Sequence, residues 1–155
     1  VSADRFGLTE ELIAHIRAEE GWVGRPYLCQ AGYPTIGWGH RIPSMQHPVI
    51  TKAQGAIILE QDLLHYRDAA LRLSPVLRDE PERRIAAIID FCFNLGINAY
   101  AGSTLRKKVN AKDWKAAGLQ MRLWVNARNP RTGKKEPLAA LVRRRDKCAK
   151  WLEAE

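Results

Sequence analysis

A carboxyl group that stays protonated near neutral pH can act as a general acid, and Glu20 is placed to be one. Leu12, Ile13 and Ile16 recur at helical spacing, and Glu20 continues their stripe at i+4 from Ile16. It therefore shares the apolar face at the last turn of a helix. Partial desolvation there raises a carboxyl's pKa. Glu19 points about 100° away, toward solvent. A plainer reading fits the same pattern, in which Glu20 only pairs with an arginine at the helix end, and spacing by itself leaves both open.

Other reactive side chains point away from metal or disulfide chemistry. The histidines at 15, 40, 47 and 65 contain no HExxH pair, so a zinc amidase is unsupported and neither metal nor cofactor is expected. Cys29, Cys92 and Cys148 are an odd count at wide spacing with no CxxC. Cys92 lies in an apolar helical run and reads as a small buried hydrophobe. Cys148 lies in a basic helix with no evident task.

These residues need elements to position them. Thr9 reads as a helix N-cap, with Glu10 and Glu11 in the first turn, and Gly21 ends that helix. Residues 25–42, RPYLCQAGYPTIGWGHRI, read as short strands joined by tight turns. A second helix runs from a cap at Thr51 to Leu73, and Pro81 opens a third at its first position. Ile85, Ile88, Ile89, Cys92 and Phe93 mark that helix as core, and Gly96 stops it. Shorter helices are expected near 103–110, 112–125 and 138–153, with 126–137 a loop by composition. The fold class is α+β, with a small N-terminal sheet and a larger helical body.

The chain has 155 residues and 46% hydrophobic content, which suits one domain or two small lobes. No apolar run approaches the roughly 18 residues that span a bilayer, and the start VSADRFGLTEE has no export-signal pattern. The net charge of +8 is skewed: residues 1–104 hold 10 Lys or Arg against 12 Asp or Glu, and residues 105–155 hold 15 against 5. A basic C-terminal half suits an anionic polymer or surface.

The segment EEGWVGRPYLCQAGYPTIGWGH resembles the catalytic segment of phage lysozymes, the T4-lysozyme-like endolysins of glycoside hydrolase family 24. The family pattern is Glu, eight residues, Asp or Cys, five residues, Thr, and it falls on Glu20, Cys29 and Thr35. Ile36, Gly37, Gly39 and His40 match the Ile-Gly-x-Gly-His that follows. PERRIAAIIDFCFNLGINAYAGSTLRKKVN resembles the family's central helix, and WVNARNP and LAALVRRRDKCAKWL its closing segments. The likeness spans about Leu8 to Leu152.

The resemblance implies a single catalytic domain over 1–155. Its lobes would cover about 15–50 and 74–155, linked by helix 51–73, with a cleft between them, and helix 9–20 would carry the acid. It implies cleavage of the β-1,4 bond between N-acetylmuramic acid and N-acetylglucosamine in peptidoglycan. Glu20 would protonate the leaving oxygen, while Cys29 and Thr35 position or activate water for inversion. Cys29 replaces the Asp of many members, so its protonation state governs what it can do. Phe93, Asn94 and Gly96 match substrate-binding positions. Arg144, flanked by Arg143 and Arg145, matches an arginine that pairs with the acid, and His40 and Asp62 match a structural ion pair. The implied partners are peptidoglycan and the anionic bacterial envelope, with no specific nucleic acid, and the chain is expected to be a monomer. Accumulation in the host cytoplasm and release by a holin complete the picture of host lysis. Two other readings remain: a lytic transglycosylase, which uses one Glu and no water, and a non-catalytic basic protein binding wall polymer or nucleic acid.

Overall fold

The computed structural model describes residues 4–155. The chain divides into two units, 1–65 and 66–155. In the first, α1 (Glu10–Glu20) begins where the Thr9 hydroxyl accepts the Leu12 amide at 3.0 Å. Glu10 and Glu11 in its first turn face the positive end of the helix dipole. Gly21, at φ +69°, ends it by donating its amide to the Arg17 carbonyl. A side chain at that φ would be strained, so glycine suits the exit.

The chain then forms a three-stranded antiparallel sheet in the order β1 (Val23–Leu28), β2 (Pro34–Gly37), β3 (His40–Arg41). Tyr27 pairs with Thr35, and Thr35 with Arg41. The ladder is irregular between Val23 and Tyr27, where Pro26 has no amide to give. The β1–β2 turn closes through Cys29 N–H to the Tyr33 carbonyl (3.0 Å) and Gly32 N–H to the Cys29 carbonyl (2.8 Å).

Helix α2 (Lys52–Leu73) starts at a reciprocal capping box. Thr51 Oγ1 accepts the Gln54 amide (3.1 Å), and Gln54 Oε1 accepts the Thr51 amide (2.8 Å). Trp22 and Trp38 pack at 4.5 Å between ring centroids, and the Arg17 guanidinium lies 4.4 Å from the Trp38 ring. Gly55 on α2 makes room for this pair. Leu12, Ile16, Ile36, Leu59 and Leu63 are buried in the same unit.

The second unit is mainly helical. A 3₁₀ turn (Pro75–Asp79) leads to α3 (Glu82–Leu95), α4 (Ile97–Ala101), α5 (Thr104–Asn110), α6 (Trp114–Met121) and α7 (Ala139–Glu153). Residues Arg84 to Cys92 are buried without a break, so α3 is the central helix. It packs on α7, which also packs on α6. Phe91 meets Trp124 and Tyr100 edge-on at 5.1 and 6.0 Å. Cys92 and Cys148 are both buried, and the Cys148 thiol donates to Asp90 at 3.2 Å.

Several expectations change. Pro81 sits at the N-cap of α3 rather than at its first helical position. Helix α6 is shorter than 112–125, and α4 and the 3₁₀ turn were not anticipated. Residues 126–137 are a hairpin rather than a loop, with β4 (Asn126–Arg128) pairing β5 (Lys135–Pro137) antiparallel. Turn chemistry dominates its composition and hides two three-residue strands. The turn is closed by the Asn129 amide on the Lys134 carbonyl (2.8 Å). No described helix is long and apolar enough to cross a membrane.

A methyl group on Gly55 would lie 2.3 Å from Trp22 Cζ3. Gly55→Ala gains about 1 kcal/mol of helix propensity, but overpacking costs about 1–3 kcal/mol. Thermal unfolding should show a Tm lowered by up to roughly 8 °C. A raised Tm would mean that the tryptophan pair yields freely.

Candidate active site

The strand period of two puts alternate residues on one face. Tyr27 and Cys29 lie on the same side of β1 and its extension, and the intervening Leu28 is 59% exposed on the other. Cross-strand partners share a face, so Tyr27 brings Thr35, and Thr35 brings Arg41. Tyr33, two before Thr35, belongs to the same face, and the Arg41 guanidinium stacks 4.0 Å over its ring. The register thus gathers a thiol, a hydroxyl, two phenols and a guanidinium on one small surface.

Glu20 joins from the end of α1. It is half-buried, whereas Glu19 is exposed. A Cβ on Gly39 would stand 2.9 Å from Glu20 Oε2 and 3.1 Å from its carboxyl carbon. The carboxyl therefore lies against the bare α-carbon of the β2–β3 turn, where Gly39 adopts φ +75°. The next residue, His40, hydrogen-bonds through Nδ1 to Asp62 Oδ2 on α2 at 2.8 Å. Burial raises the Asp62 carboxyl, and His40 acts in the opposite direction. This bond ties the turn beneath Glu20 to the helix.

The Cys29 thiol lies below its ordinary range. Burial by itself raises it, but the Tyr33 and Ala31 backbone amides, the Thr35 hydroxyl and the Arg41 charge together outweigh that effect. Thr35 is buried, and its hydroxyl donates to the Tyr33 carbonyl at 2.9 Å. A hydroxyl has one proton to give. Committed to Tyr33, Thr35 Oγ1 is an acceptor toward the site; turned to Cys29, it steadies the thiolate. Tyr27 responds to both groups: burial, then the Glu20 charge, then Cys29 push its phenol up.

Glu20, Cys29 and Thr35 all belong to the first unit, as do His40 and Asp62, and Tyr27 links them: Glu20 and Cys29 both act on its phenol, and Thr35 is its cross-strand partner. Phe93, Asn94, Gly96 and Arg144 belong to the second. There Phe93 meets Tyr66 edge-on at 5.6 Å, and Asn94 Oδ1 accepts from Arg145. Gly96, at φ +96°, ends α3 and opens α4. Arg144 forks onto buried Asp90, with Nη2 to Oδ1 at 2.8 Å and Nε at 3.2 Å from each oxygen. Tyr27, Tyr33 and Arg41 were not singled out from sequence. The alternation around Cys29 is the signal that could have found Tyr27.

The sequence model of the phage lysozyme family matches residues 17–147. The chain belongs to the phage lysozyme family. It is 31% identical over 138 residues to the endolysin of Acyrthosiphon pisum secondary endosymbiont phage 1, covering 89% of this chain and 92% of the relative. It is 32% identical over 145 residues to the endolysin of Salmonella phage P22, covering 90% and 94%. Among solved structures, the muramidase domain of SpmX from Asticaccaulis excentricus superposes with a TM-score of 0.80 at 26% identity, covering 95% and 97%. Its mixture of helices with a small antiparallel sheet is the lysozyme-like fold. Membership makes the chain a muramidase-type glycosidase, a peptidoglycan-lytic enzyme.

Because burial pushes Cys92 up to about 12 and holds Cys148 well above its ordinary value, alkylation of the folded protein near neutral pH reports Cys29. Its rate should rise with a midpoint below that of an unperturbed cysteine thiol. Removing the cation in Arg41→Gln takes away one stabiliser of the thiolate, so the midpoint moves up and the rate at pH 7 falls. An unmoved or lower midpoint would show that Arg41 does not act on Cys29.

Proposed function

We propose that this chain is an endolysin that hydrolyses the β-1,4 bond between N-acetylmuramic acid and N-acetylglucosamine, with Glu20 as general acid. The observation that carries the reading is that the half-buried Glu20 and Cys29 both act electrostatically on Tyr27, whose cross-strand partner is Thr35. Glu20 gives its proton to the leaving glycosidic oxygen as the bond to the anomeric carbon breaks. Water supplies the new bond from the opposite face of the ring.

The electrostatics support a specific placement of that water. Thr35 Oγ1, with its proton on the Tyr33 carbonyl, accepts one water hydrogen. The Cys29 thiolate accepts the other, which leaves a water lone pair aimed at the anomeric carbon. As the C–O bond forms, the water proton passes to Cys29, and exchange with solvent restores the thiolate and the Glu20 acid. Attack opposite the leaving group inverts the anomeric centre. Cys29 here does the work of a base and not of a covalent nucleophile.

Phe93, Asn94 and Gly96 serve as sugar-binding positions in this reading, and Arg144 holds the buried Asp90 of the central helix α3. The excess of cations beyond residue 104 favours residence on the anionic envelope, in a salt-dependent way. The enzyme works as a monomer on the wall after a holin opens the membrane, reaching the periplasm from the host cytoplasm.

Glu20→Gln keeps the shape and removes the proton. Its rate on purified sacculi should fall by about 10²–10⁴-fold, with wild-type products lacking anhydro ends. Wild-type activity in Glu20→Gln would overturn the acid assignment, and anhydromuropeptides from the wild type would replace hydrolysis with transglycosylation.

A further inference from the structure

One polar group on the catalytic face has no task in the mechanism above. Tyr27 stands on β1 two residues before Cys29 and directly across from Thr35. Its side chain is half-buried. Among the described residues its hydroxyl meets no hydrogen-bond partner. Half-buried and without a protein partner, this O–H is open to an acceptor that arrives.

Its surroundings limit what it can do. Glu20 and Cys29 both act on it electrostatically, and each raises the cost of losing its proton. Tyr27 is therefore a fixed donor across the working pH range and cannot serve as a base. It needs an acceptor, and a glycan brings hydroxyl and acetamido oxygens at high density. The ring adds an apolar edge on which a sugar can rest.

We propose that Tyr27 is a substrate-positioning residue, whose hydroxyl donates a hydrogen bond to a hydroxyl or acetamido oxygen of the sugar held between Glu20 and Cys29. The inference rests on the catalytic reading of that face, and it adds a contact made in the bound state. The chemistry stays with Glu20 and water; Tyr27 sets where the ring lies relative to them. Because the bond exists before the transition state, its loss weakens binding more than turnover.

Tyr27→Phe removes one oxygen and keeps the ring. On soluble muropeptide oligomers, KM should rise about 3–10-fold, as expected for one hydrogen bond, with kcat within about twofold. The Tm and the alkylation midpoint of Cys29 should stay at wild-type values. A wild-type KM would overturn the inference. So would a loss confined to kcat with a raised Cys29 midpoint, since Tyr27 would then serve the thiolate and not the sugar. Binding of the same oligomers to Glu20→Gln, with and without Tyr27→Phe, reads the contact without turnover and should show the same ratio in Kd; equal affinities would overturn it. If Glu20→Gln itself turns over at the wild-type rate, the catalytic reading fails. If Glu20→Gln is inactive and Tyr27→Phe binds like wild type, only this inference fails.

Discussion

The carboxyl of Glu20 lies where a side chain on residue 39 would have to be, and Gly39 is the residue that leaves the space. With 2.9 Å between Glu20 Oε2 and an added Cβ, any larger residue would displace the acid. The positive φ at Gly39 makes a second, independent demand for glycine. Much of the first unit serves this contact. Gly21 releases the chain from α1 immediately after Glu20. The β2–β3 turn presents Gly39, and the His40–Asp62 bond fixes the next residue to α2. The Trp22–Trp38 pair, flanking Glu20 and Gly39 in sequence, packs where α2 offers only Gly55.

Strand register governs the other half of the site. Because side chains alternate, a slip of one residue between β1 and β2 would carry Thr35 away from Tyr27 and Cys29. The same ladder that sets geometry also sets charge. Amides of the β1–β2 turn and the Arg41 guanidinium act on Cys29, so a residue that is ordinarily a neutral thiol near pH 7 gains thiolate character. A carboxylate would need no such help. In the proposed mechanism, Cys in place of Asp therefore makes the surrounding turn part of the chemistry.

Legibility in the sequence follows the range of the interactions. The capping at Thr9 and the stripe ending at Glu20 are local, and both α1 and the half-burial of its last residue could be read from spacing. The core character of α3 was equally plain from Ile85 to Cys92. The hairpin at 126–137 was hidden because its strands are three residues each and carry Arg, Lys and Pro, residues that signal turns. The short helix α4 begins directly after Gly96, where a stop signal also served as a start. At the site, Cys29 and Thr35 emerged through a motif and not through periodicity. Alternation around Cys29 offered Tyr27, but Arg41 was out of reach because its relation to Thr35 depends on pairing between strands, which no single-strand pattern contains. The hold of Arg144 on Asp90 spans 54 residues and had no local signal.

In the proposed mechanism a water, held by Thr35 and Cys29, attacks the anomeric carbon while Glu20 protonates the leaving oxygen. Proton NMR of the first-formed reducing ends, recorded before mutarotation, tests it most directly. Cleavage of the β-linked strand should release the α-anomer. Release of the β-anomer would contradict the account and point to a covalent intermediate on the enzyme.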